Sequence, residues 1–279
     1  MRIDQALAWA IHQLEGGESP SVDAKVLLAN ILDKSQTYLF TWPDKTLDAA
    51  QKAQFETAIS RRKLGEPVAY ITGKRDFWTL SLFTSPHTLI PRPDTEILVE
   101  QVLNWANQHQ HNALSICDLG TGTGAIALAL ASELPNASVI GVDFQGDAVD
   151  LATRNAKANG ITNARFVQSD WFTALEGRTF DIIVSNPPYI DETSPYLKEG
   201  DVRFEPITAL TSGEHGLEDI KLITDNAPHF LNKHGLLAFE HGFDQGDDVK
   251  ALLVAKGFVS VETVKDYGNN DRVTLGRWA

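Results

Sequence analysis

Asn186-Pro187-Pro188-Tyr189 closes the apolar run Phe180-Asp181-Ile182-Ile183-Val184-Ser185, and these residue types suit one kind of chemistry. Neither proline has an N–H, and each ring holds φ near −65°, so a strand that reaches them ends its ladder. The backbone becomes a rigid ledge that offers acceptors and no donors. Asn186 precedes a proline and is pushed into an extended conformation, which lets its side-chain carbonyl and the Pro187 backbone carbonyl face one pocket. Two fixed acceptors suit one NH₂ group, and Tyr189 adds a flat aromatic wall for a planar amide or a nucleobase.

A second group of residues points to a nucleoside. Asp118-Leu119-Gly120-Thr121-Gly122-Thr123-Gly124-Ala125 follows one apolar strand and opens a helix. Glycines there let the backbone turn tightly and approach a ligand. Gly120, Gly122 and Ala125 also satisfy the dinucleotide pattern G-x-G-x-x-A, so the segment alone does not separate a nicotinamide cofactor from S-adenosyl-L-methionine. No Lys-Ser/Thr pair follows the glycines, which argues against a nucleoside-triphosphate loop. Asp143 ends the next strand, where an acid can hold ribose hydroxyls. Asp170-Trp171 ends another, placing a carboxylate for an exocyclic amine beside a ring that packs on a base; a structural role is the alternative for Trp171.

These residues need a framework. From Ala113 onward, apolar strands and amphipathic helices alternate with short loops, the pattern of a mostly parallel sheet covered on both faces. Strands are expected at 114–119, 138–143, 164–169, 180–185, 235–240, 258–265 and 272–278. Helices are expected at 124–133, 147–158, 216–231 and 245–256. Tyr267-Gly268-Asn269-Asn270 suits a reversing turn, so the last strand should run antiparallel. Residues 1–70 instead show helical spacing (Ile3, Leu7, Ala10, Ile11, Leu14; then Val22, Val26, Leu27, Ile31), with a third stretch to about Lys63. Near-alternation from Asp76 to Leu89 reads as a β-hairpin. Asp94-Thr95-Glu96-Ile97 reads as the cap of a helix continuing to about Gln108. The expected division is therefore a helical domain at 1–73, a hairpin linker at 74–90 and a catalytic domain at 91–279.

Composition narrows the function. Residues 1–90 hold ten basic and ten acidic side chains, so the whole net charge of −13 falls on the other 189 residues. An acidic catalytic half repels phosphate backbones, so neither DNA nor RNA is the expected partner. Arg61-Arg62-Lys63 reads as a solvated helix end, with contact to an acidic partner as the alternative. Cys117 is the only cysteine; inside an apolar strand it reads as a small buried hydrophobe. The eight histidines show no metal-ligand spacing, so no metal is expected. No apolar stretch approaches the roughly 20 residues needed to span a bilayer, and the amino terminus shows no cleavage-site pattern. A cytoplasmic monomer is the expected form.

Taken together, the glycine segment, Asp143, Asp170-Trp171 and Asn186 to Tyr189 resemble a class I SAM-dependent methyltransferase that modifies amides or amines. More narrowly, the chain resembles the HemK/PrmC family. That likeness extends to Gly65-Glu66-Pro67-Val68-Ala69-Tyr70-Ile71-Thr72-Gly73, Ile90-Pro91-Arg92-Pro93-Asp94-Thr95-Glu96 and Gly200-Asp201-Val202-Arg203-Phe204-Glu205-Pro206. The resemblance implies a Rossmann-like seven-stranded sheet, mostly parallel with an antiparallel last strand, behind a small helical bundle. It implies methylation of the glutamine N5 in the Gly-Gly-Gln motif of peptide chain release factors. The implied cofactor-binding residues are Gly120, Thr121, Gly122, Thr123, Gly124, Asp143, Asp170, Trp171 and Asn186. Asn186, Pro187, Pro188 and Tyr189 would hold the glutamine, with Asn186, Pro187 and Tyr189 acting on it.

An amide nitrogen is a poor nucleophile, so positioning must supply most of the catalysis and no His–Asp pair is required. Glu240-His241 reads as structural or as pocket wall. Arg203-Phe204-Glu205 lies in a loop able to close over the site, and Arg92 reads equally as a substrate contact or a helix cap. The rival readings are a nucleic-acid adenine N6-methyltransferase, disfavoured by charge, and a non-catalytic SAM-binding protein, disfavoured by the intact acceptor motif. A dehydrogenase would leave Asn186 to Tyr189 and Asp170-Trp171 unexplained.

Overall fold

A computed structural model describes residues 1–109 and 113–279. The chain forms two compact units, residues 1–74 with 198–204, and residues 75–197 with 205–279. The first unit is helical: α1 (Ile3–Gln13), α2 (Pro20–Leu32), α3 (Gln36–Thr41), α4 (Ala49–Lys63) and α5 (Val68–Thr72). Its core is built on Ile3, Leu27, Leu28, Leu39, Phe55 and Ile59. Asp48 and Gln51 start α4 by a reciprocal capping box, with side chain to backbone distances of 2.8 and 3.0 Å, which satisfies two donors otherwise orphaned at a helix start.

The basic end of α4 differs from the solvated end that its sequence suggests. Arg62 reaches Asp23 Oδ2 at 2.7 Å and Asp201 Oδ1 at 2.8 Å, and its side chain is only 15% exposed. Two carboxylates, one from α2 and one from the returning segment 198–204, match the planar guanidinium fork. Arg61 is likewise paired, with Glu66.

In the second unit, the hairpin β1 (Lys74–Phe77) and β2 (Leu80–Phe83) is followed by α6 (Glu96–His109), β3 (Ser115–Leu119), α7 (Ala125–Glu133), β4 (Ser138–Asp143), α8 (Gly146–Ala158), β5 (Ala164–Gln168) and β6 (Phe180–Ser185). Then come α9 (Gly213–Gly216), α10 (Glu218–Asn226), β7 (Leu231–Glu240), α11 (Gly246–Lys256), β8 (Val259–Lys265) and β9 (Asp271–Arg277). Seven strands form one sheet in the order β5-β4-β3-β6-β7-β9-β8. β9 pairs antiparallel with both β7 and β8, and the other neighbouring pairs are parallel. The seven-stranded sheet with an antiparallel last strand is as the sequence implied.

Because successive strand residues face opposite ways, each central strand feeds two cores. Ile116, Ile182, Val184, Leu236 and Ala238 pack on the side of α6 and α7. Cys117, Ile183, Leu237 and Phe239 pack on the side of α10 and α11. Cys117 is fully buried there, and burial raises its thiol pKa. β3 lies between β4 and β6, so the chain reverses its direction of sheet growth beside β3. Ligands of open α/β sheets bind outside the strand ends at such a reversal.

Three boundaries differ from those expected. The hairpin anticipated from Asp76 to Leu89 spans Lys74–Phe83. The helix anticipated over 216–231 is α10 followed by a 3₁₀ turn at Ala227–His229, because Pro228 has no N–H to continue the ladder. β7 begins at Leu231 rather than 235. Its polar start, Asn232-Lys233-His234, reads as a loop but is held where Asn232 Nδ2 donates to Asp181 on β6 at 2.7 Å. Among the described residues, no helix is long and apolar enough to cross a membrane.

Candidate active site

A cleft of about 350 Å³ opens at the carboxyl ends of β3, β4, β5 and β6, a volume within the ordinary range for cofactor sites. The glycine loop forms one wall. Gly120, Gly122 and Gly124 have φ of +72°, +54° and +82°, a region that side chains other than glycine's rarely adopt. At Gly124 a Cβ would also lie 3.1 Å from the Ala152 Cβ, so helix packing requires glycine there as well.

Asp118 braces this loop from below. Its Oδ2 accepts from the Thr121 hydroxyl at 2.6 Å and from Ala127 N–H at 3.2 Å. Burial pushes its carboxyl up to about 7. Thr121 and Thr123 both line the cleft, but the Thr121 hydroxyl is committed to Asp118, and the Thr123 carbonyl accepts from the buried Asn155 amide at 2.9 Å. That same amide bonds both backbone groups of Phe83. The hairpin is thereby fastened to the glycine loop.

Asp143 stands at the end of β4, where its two oxygens accept Gly122 N–H at 2.8 Å and Gln145 N–H at 2.9 Å. Each oxygen keeps one lone pair, enough for a pair of adjacent hydroxyls. Burial raises its pKa. Asp170 and Trp171 line the opposite wall. Trp171 sits at φ +44°, an uncommon conformation for a bulky residue. The Ser169 hydroxyl fixes it by donating to the Trp171 carbonyl at 2.8 Å, and the indole lies within about 4 Å of where a Gly120 Cβ would stand.

Asn186 and Pro188 line the cleft, Pro187 is buried, and Tyr189 is turned toward the sheet. Asn186 Nδ2 donates to Thr95 Oγ1 at 3.4 Å. Asn186 Oδ1 is buried and has no donor among the described residues. Unpaired buried acceptors are costly, so this one is a vacant recognition group at the wall of the cleft. Tyr189 is fastened at both ends: its hydroxyl donates to Glu240 Oε1 at 3.4 Å, and its carbonyl accepts from Gln245 Nε2 at 3.0 Å. Burial and then the neighbouring carboxylate raise its pKa. Gly216 follows from this arrangement, since a Cβ there would come within 2.0 Å of the Tyr189 carbonyl oxygen.

Several of these partners lie in the segments 90–96 and 200–206, whose roles the sequence does not decide. Thr95 reads in sequence as part of a helix cap, yet it bonds Asn186, while Glu96 accepts Trp78 N–H at 2.8 Å. Arg92 pairs with Glu205, whose other oxygen accepts Ile90 N–H at 2.9 Å. Arg92 also lines the cleft. His241 is turned away, toward Thr274 Oγ1 at 2.8 Å and the Gly242 carbonyl at 2.8 Å. It is not paired with Glu240. His87, Thr88 and Leu89, in the loop after β2, and Thr208 and Ala209, in a 3₁₀ turn, also line the cleft; these short segments show no periodic signal.

Known proteins share both parts of the chain. Residues 5–73 match the PrmC N-terminal domain and residues 110–255 match a methyltransferase domain. The release factor glutamine methyltransferase of Aliivibrio fischeri is 53% identical over 266 residues, covering 95% of this chain and 93% of its own. The protein of the same name from Escherichia coli is 49% identical over 278 residues, covering 100% and 99%. A T. thermophilus 16S rRNA N2 G1207 methyltransferase solved with AdoMet and guanosine aligns with a TM-score of 0.56 at 20% identity, over 74% of this chain and 50% of that one, a likeness of fold alone. Near-complete coverage at about half identity, on a sheet whose strand ends gather the glycine loop, Asp143 and Asn186, places this chain in the release factor glutamine methyltransferase family.

Proposed function

We propose that the protein transfers the methyl group of S-adenosyl-L-methionine to the side-chain amide N5 of the glutamine in the Gly-Gly-Gln motif of peptide chain release factors. The single observation that carries this reading is the buried, partnerless Oδ1 of Asn186 on the cleft wall. It suits an N–H donor and would repel a carbonyl.

The residues present fit the methyl donor. Gly120 to Gly124 give close backbone approach, Asp143 has acceptors to spare for the ribose, and Asp170 and Trp171 bound the base. When bound, the sulfonium supplies an already activated methyl group. The chain's own task is to orient the acceptor. Asn186 Oδ1 and the Pro187 carbonyl accept the two N–H bonds of the glutamine amide, aligning its nitrogen and favouring positive charge as it develops. Pro188 holds the ledge rigid, and Tyr189, fixed at hydroxyl and carbonyl, holds its end in place.

Residues 1–73 recognise the release factor away from its target loop, residues 74–90 link, and residues 91–279 carry the chemistry. The family match over 5–73, in a segment without chemical motifs, supports this division. The enzyme acts as a cytoplasmic monomer without nucleic acid, membrane or metal. The test is incubation with methyl-labelled S-adenosylmethionine and unmethylated release factor, beside a factor with its Gly-Gly-Gln glutamine replaced and a DNA control. Label on the intact factor alone is expected. Label on DNA alone would move the acceptor to adenine.

A further inference from the structure

Glu240 ends β7 with 1% of its surface exposed, and no motif assigns it a role. Its carboxyl accepts from the Tyr189 hydroxyl at 3.4 Å, and the Thr95 hydroxyl faces it and favours its charged form. Thr95, itself 4% exposed, is the residue that receives Asn186 Nδ2. We infer that Glu240 is a positioning residue that sets the orientation of the Asn186 amide through Thr95 while anchoring Tyr189 directly. This inference rests on the acceptor role proposed for Asn186.

An ionised carboxylate only accepts, and a threonine hydroxyl has one proton. With that proton committed to Glu240, Thr95 Oγ1 can only accept from Asn186. The asparagine therefore offers its NH₂ to Thr95 and turns Oδ1 away, where it lacks a partner. Without Glu240, the Thr95 proton is free to turn to Asn186 Oδ1. The amide would flip and present N–H donors to a substrate NH₂, which is a donor-to-donor clash. Thus the polarity of the acceptor ledge is set one residue behind it.

Burial favours the protonated form of Glu240 and the groups around it offset this only in part, so the relay is set at pH above about 7, where the carboxylate is ionised. Arg272 on β9 and Asp94 on the turn before α6 both face Glu240, Arg272 favouring its charge and Asp94 opposing it. Arg272 is itself held by Asp266 at 3.2 Å and lies 3.8 Å from Asp94. Glu240 Oε2 has no partner among the described residues, so a glutamine amide can take that position and leave the accepting oxygen where it is.

The experiment is single-turnover and steady-state methylation of release factor by Glu240→Leu, Glu240→Gln, Thr95→Val, the Glu240→Leu/Thr95→Val pair and Asn186→Ala, with S-adenosylmethionine affinity measured in parallel. Leucine should lower kcat by about 30-fold, the effect of one lost charged hydrogen bond, while cofactor affinity and release-factor KM change less than about threefold. Glutamine, which keeps one acceptor, should recover kcat to within about fivefold of wild type. Thr95→Val should lower kcat about tenfold, and the double variant should fall well short of the product of the single effects because the residues act in series. With Asn186→Ala inactive, unchanged kcat in Glu240→Leu, or glutamine as impaired as leucine, overturns the relay. Should the leucine variant fail to fold, unchanged kcat in Thr95→Val overturns it equally. If Asn186→Ala keeps full turnover, the acceptor reading itself falls, a result distinct from failure of the relay alone.

Discussion

Replacing Glu240 by Gln should flatten the pH dependence of stability in the catalytic unit. Burial raises the Glu240 carboxyl from 4.5 to about 7, offset in part by Thr95 and Arg272. The folded protein thus holds a proton between pH 4.5 and 7 that the unfolded chain has released. Stability from this group is complete below pH 4.5 and is lost as pH rises through 7. At about 1.4 kcal/mol for each pH unit, the loss is about 3 kcal/mol. Asp118, raised from 3.8 to about 7 by burial, acts with the same sign, whereas Asp266, lowered by the Asn270 backbone N–H and Arg272, acts oppositely. The informative quantity is therefore the difference between variants. Urea denaturation read by hydrogen-exchange labelling of β7 peptides at pH 4.5 and pH 8 isolates the unit that carries Glu240. Wild type should lose about 3 kcal/mol more than Glu240→Gln between those values. The absolute cost of an unpaired glutamine NH₂ cancels, being the same at both. Equal pH dependence in the two proteins would refute the account of this buried carboxyl.

Other perturbations separate binding from chemistry. Asn186→Ala should lower kcat by about 10² or more, the typical effect of removing one group that stabilises developing charge, with cofactor affinity by calorimetry within about twofold. Asp143→Ala should do the reverse, weakening S-adenosylmethionine by about 10-fold or more through lost ribose acceptors and two orphaned loop N–H groups, with kcat at saturation little changed. Gly216→Ala, which puts a Cβ 2.0 Å from the Tyr189 carbonyl oxygen, should lower kcat and thermal stability together, measured by single turnover and calorimetry.

The sheet was legible because its central strands are unbroken apolar runs that feed two cores, and the glycines and Asn-Pro-Pro-Tyr mark where two of them end. Short helices such as α3 and α5 escaped because five or six residues hold too few turns for a period to emerge. Asn186 was legible as an acceptor, and the structure adds that its Oδ1 stands without a donor. Thr95 was not legible as the partner of Asn186, nor Glu240 as that of Tyr189, since they lie 91 and 51 positions away and the turn before α6 and the end of β7 reach this ledge only in the fold. Arg62 was misread as solvated because charge runs show no partner until a fold supplies one. Burial raises both Asp118 and Glu240 to about 7, so a limb near pH 7 in the pH–rate profile identifies a catalytic base only if it survives replacement of each of them.

The most direct test of the central claim is tandem mass spectrometry of the Gly-Gly-Gln peptide from release factor treated with wild type and with Asn186→Ala. One methyl group on the glutamine side-chain nitrogen with wild type, and an unmodified peptide with the variant, is the predicted result. A methyl group elsewhere on the factor, or equal methylation by both proteins, would contradict it.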